Sequence, residues 1–167
     1  REKIQALGLD HKITLLLQDY RDLAGEYDKL VSIEMVEAVG HQFYGAYFET
    51  LGRLLKPEGL GLIQAITIDH KRYASAIKNV DFIQRYIFPG SCIPSVNALL
   101  QNCTEHSDLE LTHFEDITPH YARTLREWRQ SFLHHREQIR ALGYSEGFIR
   151  MWDFYFCYCE GGFAERV

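Results

Sequence analysis

VSIEMVEAVG, residues Val31 to Gly40, is an apolar run that breaks into two acids. With Asp28, Lys29 and Leu30 ahead of it, the run reads as a buried strand ending at Ile33. Glu34 and Glu37 follow beside Met35, Val36 and Val39, and Gly40 ends the segment. Open α/β sheets bind ligands outside the carboxyl ends of their strands. Two carboxylates there, among apolar neighbours, suit holding a ligand or tuning a proton transfer. The plain alternative is a pair of solvated loop acids.

Reading outward from this stretch, the upstream side carries a helix end from Arg1 to Leu7, with Ile4 and Leu7 on one face and Gly8 as its cap. Lys12 to Leu17 (KITLLL) reads as a strand buried on both faces, closed by the polar turn Gln18-Asp19-Tyr20-Arg21-Asp22. Downstream, His41 to Leu55 has helical spacing, and Lys56-Pro57-Glu58-Gly59 is a strong stop. Leu60 to Ile68 (LGLIQAITI) predicts a third strand, interrupted by the polar Gln64. Strands alternating with helices and joined by short turns predict a parallel sheet with helical crossovers, an α/β fold.

The pattern then changes. His70 to Asn97 is aromatic-rich and broken by Pro89-Gly90 and Pro94. Ser95 is placed to cap a helix through Val96, Leu99 and Leu100. Leu109 to Phe114 alternates like a strand. Tyr121 to Ala141 and Ser145 to Gly161 are long helical patterns separated at Gly143, and the second is dense in aromatics.

The chain has 167 residues and a net charge of -5, which argues against a nucleic-acid binder. No apolar run is long enough to span a bilayer. The spacing of Cys92, Cys103, Cys157 and Cys159 matches no zinc signature, and the histidines form no metal pattern, so no metal site is expected. Free buried thiols of a reducing cytoplasm fit instead, and His134-His135 reads as a solvated helix position. A start at Arg1, inside a helix pattern and without Met, raises the expectation of a fragment.

Six segments carry a family resemblance: LLQDYRDL (Leu16 to Leu23), YDKLVSIEMVEAVG (Tyr27 to Gly40), LLKPEG (Leu54 to Gly59), DFIQRYIFPGSCIPS (Asp81 to Ser95), HYARTLREWRQSF (His120 to Phe132) and FIRMWDFYFCYCEGGF (Phe148 to Phe163). In this order and spacing the chain resembles the cyclopropane-fatty-acid synthase family, which includes the mycolic acid cyclopropane synthases. The resemblance implies a Rossmann-like class I methyltransferase fold that uses S-adenosylmethionine. Residues 1–167 would form the C-terminal part of one such domain: a partial cofactor-binding core over 1–69, an acyl-chain lid over 70–103, and a strand with helices over 104–167. The glycine-rich cofactor turn and the last strand of the family are not in this sequence. A partial sheet of this kind is expected to have open edges.

The resemblance also implies the site. Gln18, Asp19, Tyr20 and Ile33 would hold the adenosine. The acceptor would be a cis double bond in a phospholipid acyl chain, with bicarbonate as the base that removes a proton before ring closure. Glu37, Gln64, the backbone at Ile66 and Tyr121 would hold that ion. Gln64 departs from the family, where well-known relatives carry histidine; an amide can donate but cannot become positive. Tyr86, Phe88, Trp152 and Tyr155 would line the acyl tunnel, where aromatic faces stabilise a cation. The expected setting is cytoplasmic, with transient peripheral contact at the inner membrane face, and a homodimer is left open.

Overall fold

The computed structural model describes residues 1–166. Its organising element is helix α3 (Tyr44–Leu54), whose apolar side chains recur at Tyr44, Tyr47, Phe48, Leu51 and Leu54, a stripe along one face. That stripe is buried. With Val36 it forms the main core, onto which Leu30 and Ile63 pack from the sheet and Leu99 and Cys103 from helix α6 (Val96–His106). Each such large side chain contributes about 1.5–3 kcal/mol by leaving water.

The sheet has two parallel strands, β1 (Tyr27–Ile33) and β2 (Leu55–Gln64). Lys29 to Ile33 pair in continuous register with Leu60 to Gln64. Ahead of that, Tyr27 pairs with Leu55, so residues 56–59 bulge out of the ladder. Strand β2 therefore starts five residues before the expected Leu60, and the KPEG segment is a bulge inside the strand. Pro57 lacks the N–H a regular ladder needs. Gly59 is required, because a Cβ there would meet Leu55 Cδ2 and the Lys56 carbonyl at 2.9 Å. At its other end β2 stops at Gln64, short of the expected Ile68.

Two expected strands do not form. Lys12 to Leu17 and Leu109 to Phe114 run as irregular chain, and Leu15, Leu16, Leu17, Leu111 and Phe114 are exposed. Strand propensity yields a strand only where a neighbour pairs with its backbone, and the sheet offers neither segment a ladder.

The helices hold better. Short α1 (Glu2–Ala6) ends at Leu7, with Gly8 at φ +64°. Beyond β1, the chain turns through α2 (Val36–Val39) and a 3-10 turn over His41–Phe43, so α3 starts three residues after the expected His41. The segment 70–103 contains α4 (His70–Ala76) and α5 (Phe82–Tyr86), and its end falls within α6, which packs on α3. That part of the expected lid is core.

Thr118–His134 (α7) begins earlier than expected, with Pro119 in its first turn, and breaks at His135 before α8 (Arg136–Ala141). His134 and His135 are exposed. Helix α9 (Glu146–Glu165) is capped by the Ser145 side chain and packs along α7. Leu125, Ile149 and Phe156 are buried in these helices, and the Phe132 and Phe156 rings lie 5.6 Å apart. All four cysteines are free, but only Cys92 is buried, and Cys157 is exposed. Cys92 lies in the irregular segment between α5 and α6, whereas Cys157 and Cys159 lie on α9, one face of which looks outward. Among the described residues no helix is long and apolar enough to cross a membrane, and no acidic, His or Cys group is arranged to hold a metal.

Candidate active site at the strand ends

The carboxyl ends of β1 and β2 lie side by side, with Ile33 opposite Gln64. The chain leaves β1 through Glu34, whose N–H donates to the Gln64 carbonyl at 2.8 Å. Glu34 then adopts φ +47°, a left-handed conformation that costs a residue with a Cβ about 1 kcal/mol. This turn puts Glu34 and the start of α2 over the strand ends.

Three segments far apart in sequence meet at the Glu34 carboxylate. Gln64 Nε2 donates to Oε1 at 2.7 Å, and the Tyr121 hydroxyl donates to Oε2 at 3.0 Å. Tyr121 comes from the first turns of α7 and is held by the Phe163 ring at 4.6 Å and the Trp128 ring at 6.2 Å. Burial, and then the hydrogen bond to Glu34, push the Tyr121 hydroxyl above its ordinary range, so it stays a neutral donor.

Glu37 lies beneath, on α2, with 9% of its surface exposed. The Ile66 N–H donates to its Oε1 at 2.5 Å, while its Oε2 is buried without a hydrogen-bond partner among the described residues. Burial raises its affinity for a proton; the Ile66 N–H opposes this, and the charge of Glu34 adds to it. A buried acceptor without a partner costs about 1–3 kcal/mol, a cost that folded proteins tolerate mostly at functional sites.

All four expected anion ligands are thus gathered in one place, but their donors face inward to the chain's own acids. The Tyr121 hydroxyl and one Gln64 amide hydrogen go to Glu34, and the Ile66 N–H goes to Glu37. None of these residues is cationic. An anion such as bicarbonate needs donors or positive charge, so these residues do not fit the ion in the expected way. Glu34, read in the sequence with Glu37 as a strand-end acid suited to holding a ligand or tuning a proton transfer but not counted among the ion's ligands, is the hub. Its signal was an acid at the position where a strand turns; its partners could not be read there.

The expected adenosine residues divide. Asp19 caps the 3-10 turn Tyr20–Asp22, and its carboxylate is paired with Arg21 at 2.8 Å, which holds it down at about 2. Gln18 Nε2 donates to the Asp22 carbonyl at 2.6 Å. Half-buried Tyr20 packs edge-on to Tyr47 at 5.9 Å. Asp19 and Tyr20 form one wall of a cleft of about 320 Å³ whose other wall is Met35, Ala38, Val39 and Phe43. The two turns therefore do face one space. A flat apolar cleft with a polar rim suits the adenine end of S-adenosylmethionine, with Tyr20 and Met35 as packing surfaces. Gln18 and Ile33 do not line it. Ile33 is 59% exposed on the open face of the sheet.

The four expected tunnel aromatics are partly assembled. Phe88 meets Tyr155 at 6.0 Å, and Tyr155 meets Trp152 at 5.3 Å, edge to face in both cases. Tyr86 instead packs on Phe82 at 5.7 Å and is 57% exposed. Phe82, which sequence reasoning missed, carries α5 onto α9 through Phe154 at 4.9 Å and Tyr158 at 6.1 Å. Burial, and then the neighbouring Cys159, raise the Tyr155 hydroxyl above its ordinary range.

Parallel strands whose carboxyl ends carry a ligand cleft and an acid cluster define an α/β enzyme-type site. Solved structures share the fold, that of class I S-adenosylmethionine-dependent methyltransferases. Mycolic acid cyclopropane synthase CmaA1, complexed with SAH and CTAB, superposes with a TM-score of 0.81 at 28% identity, over 98% of this chain and 61% of that one. Cyclopropane synthase MmaA2 from Mycobacterium tuberculosis gives 0.78 at 22% identity, over 97% and 62%. The chain belongs to the mycolic acid cyclopropane synthetase family, whose model matches residues 1–167. Tuberculostearic acid methyltransferase UfaA1 of Mycobacterium tuberculosis is 42% identical over 98% of the chain, and cyclopropane-fatty-acyl-phospholipid synthase of Escherichia coli is 42% identical over 95%. The chain spans about two fifths of the length of these relatives, 38% and 39%.

Proposed function

We propose that this chain supplies the acceptor-side half of an enzyme that transfers a one-carbon unit from S-adenosylmethionine to the cis double bond of an unsaturated phospholipid acyl chain. The product is a cyclopropane fatty acid. One observation carries the reading: Glu34, Glu37, Gln64, Ile66 and Tyr121 converge at the strand ends beside an apolar cleft, in a chain of this family. S-adenosylmethionine, when bound, supplies an electrophilic methyl group. The chain's own residues pack the adenine, line the acyl chain with Phe88, Trp152 and Tyr155, and provide carboxylates that can accept a proton. Bicarbonate is left out of this reading, because the Tyr121 hydroxyl, the Ile66 N–H and one Gln64 amide hydrogen are engaged by the chain's own acids.

A second reading, transfer of a methyl branch without ring closure, is favoured by the 42% identity to a tuberculostearic acid methyltransferase. Both readings carry peripheral contact with the cytoplasmic face of a membrane. The test is mass spectrometry of lipids from a bacterium without its own synthase that expresses the full-length gene product. A gain of one CH₂ with loss of the double bond to a ring supports the first reading. The same gain as an open branch supports the second. Unchanged lipids with good expression exclude both.

A further inference from the structure

Most donors that an exogenous anion would use are occupied by carboxylates of the chain itself: the Tyr121 hydroxyl, the Ile66 N–H and one of the two Gln64 amide hydrogens. Glu34 takes the Gln64 amide at 2.7 Å and the Tyr121 hydroxyl at 3.0 Å, one on each oxygen. Two neutral donors orient the carboxylate and leave it free lone pairs. Glu37 is held below by the Ile66 N–H, its second oxygen buried with no partner. The strained φ of +47° at Glu34 fits a turn kept for what its side chain does, since glycine would adopt it without cost.

We propose that Glu34 is the proton acceptor of the reaction and takes the place of an exogenous base, with Gln64 and Tyr121 as the positioning residues that aim its carboxylate. The inference rests on the functional reading above. In the step, the alkene electron pair forms the new carbon–carbon bond to the sulfonium methyl as the sulfur–carbon bond breaks, its electrons staying on sulfur. The acyl chain is left with a carbocation. The Glu34 carboxylate removes one proton from the new methyl group, and the electrons of that C–H bond close the ring. Removal of a proton from a neighbouring carbon gives an unsaturated branch instead. No further reactant is needed, and Glu34 ends protonated.

The geometry makes a sharp prediction for Glu34→Gly. The backbone accepts glycine at this φ, and loss of the carboxylate releases the Gln64 amide and the Tyr121 hydroxyl together. Those donors then form a site for a small anion. Full-length protein would be assayed on vesicles of cis-unsaturated phospholipid in carbonate-depleted buffer, with and without added bicarbonate. The expected result is wild-type turnover independent of bicarbonate, a loss of about 100-fold in Glu34→Gly, and its partial recovery by bicarbonate. Wild-type turnover that needs bicarbonate, or a fully active Glu34→Gly, overturns the proposal. Binding of ¹³C-labelled bicarbonate, followed by NMR, judges it apart from lipid activity. Saturable binding to the wild type overturns it, and binding gained only in Glu34→Gly supports it. If neither protein modifies lipid, the functional reading fails, while the binding result still decides who holds the anion.

Discussion

At the scale of single residues, the site is built from costs. Glu37 is buried with one oxygen unpartnered, and its folded-state proton affinity is raised by that burial. The folded chain therefore holds this proton more tightly than the unfolded chain does. Its contribution to stability is complete on the acid side of the ordinary value of 4.5 and is lost as pH rises through the raised one. Glu37→Gln removes that dependence. Urea unfolding should show the variant and wild type equally stable near the acid limit and the variant more stable at pH 8, while its turnover falls strongly. Tyr121→Phe keeps the ring packed on Phe163 and removes only the hydroxyl donor to Glu34. It should lower kcat by about 10–100-fold with S-adenosylmethionine affinity, measured by titration calorimetry on the full-length protein, changed less than about 2-fold. Tyr47 is fully buried, and its hydroxyl donates to Ser32 Oγ at 2.8 Å. Tyr47→Phe leaves that oxygen without its donor and should cost about 1–2 kcal/mol in denaturant unfolding. The pair of acids after β1 was legible as chemistry. The hub role of Glu34 was not, because Tyr121 lies 87 residues away and only the fold brings it near.

At the scale of elements, helices were more legible than strands. A helix satisfies its own backbone and needs only one apolar face, so α3, α6, α7 and α9 could be read from spacing and caps. Ser95 shows how local such a signal is. It reads as a cap, and its Oγ does accept from the Ala98 N–H at 3.2 Å. The fold adds a second partner, His70 Nδ1 at 2.9 Å, and buries Ser95 completely. Ser95→Ala should therefore cost about 1–2 kcal/mol, the upper part of the range for a helix cap, as read from the thermal midpoint. A strand is completed by its neighbour. Lys12 to Leu17 and Leu109 to Phe114 have the composition of strands and find no ladder, whereas Lys56-Pro57-Glu58-Gly59 has the composition of a stop and is absorbed into β2 as a bulge because residues on both sides pair with β1.

At the scale of the whole molecule, α3 covers one face of the small sheet, with α6 packed on α3, and the other face is open. Val31, Ile33, Leu60 and Leu62 are each more than half exposed, as are Leu15, Leu16 and Leu17. A surface of this kind drives association. The isolated 167-residue chain should self-associate and bind a hydrophobic dye, seen by light scattering and dye fluorescence; a monomer that binds no dye would mean that this face closes in solution. By itself the sequence determined the parallel α/β class, the helices, the acid pair at the strand end and the family, because these depend on periodicity, local capping and residue types in order. Only the tertiary structure decided which strand candidates became strands and which acid collects the site's donors. Both depend on partners supplied from distant parts of the chain, and a hydrogen bond between residues far apart leaves no periodic trace along it.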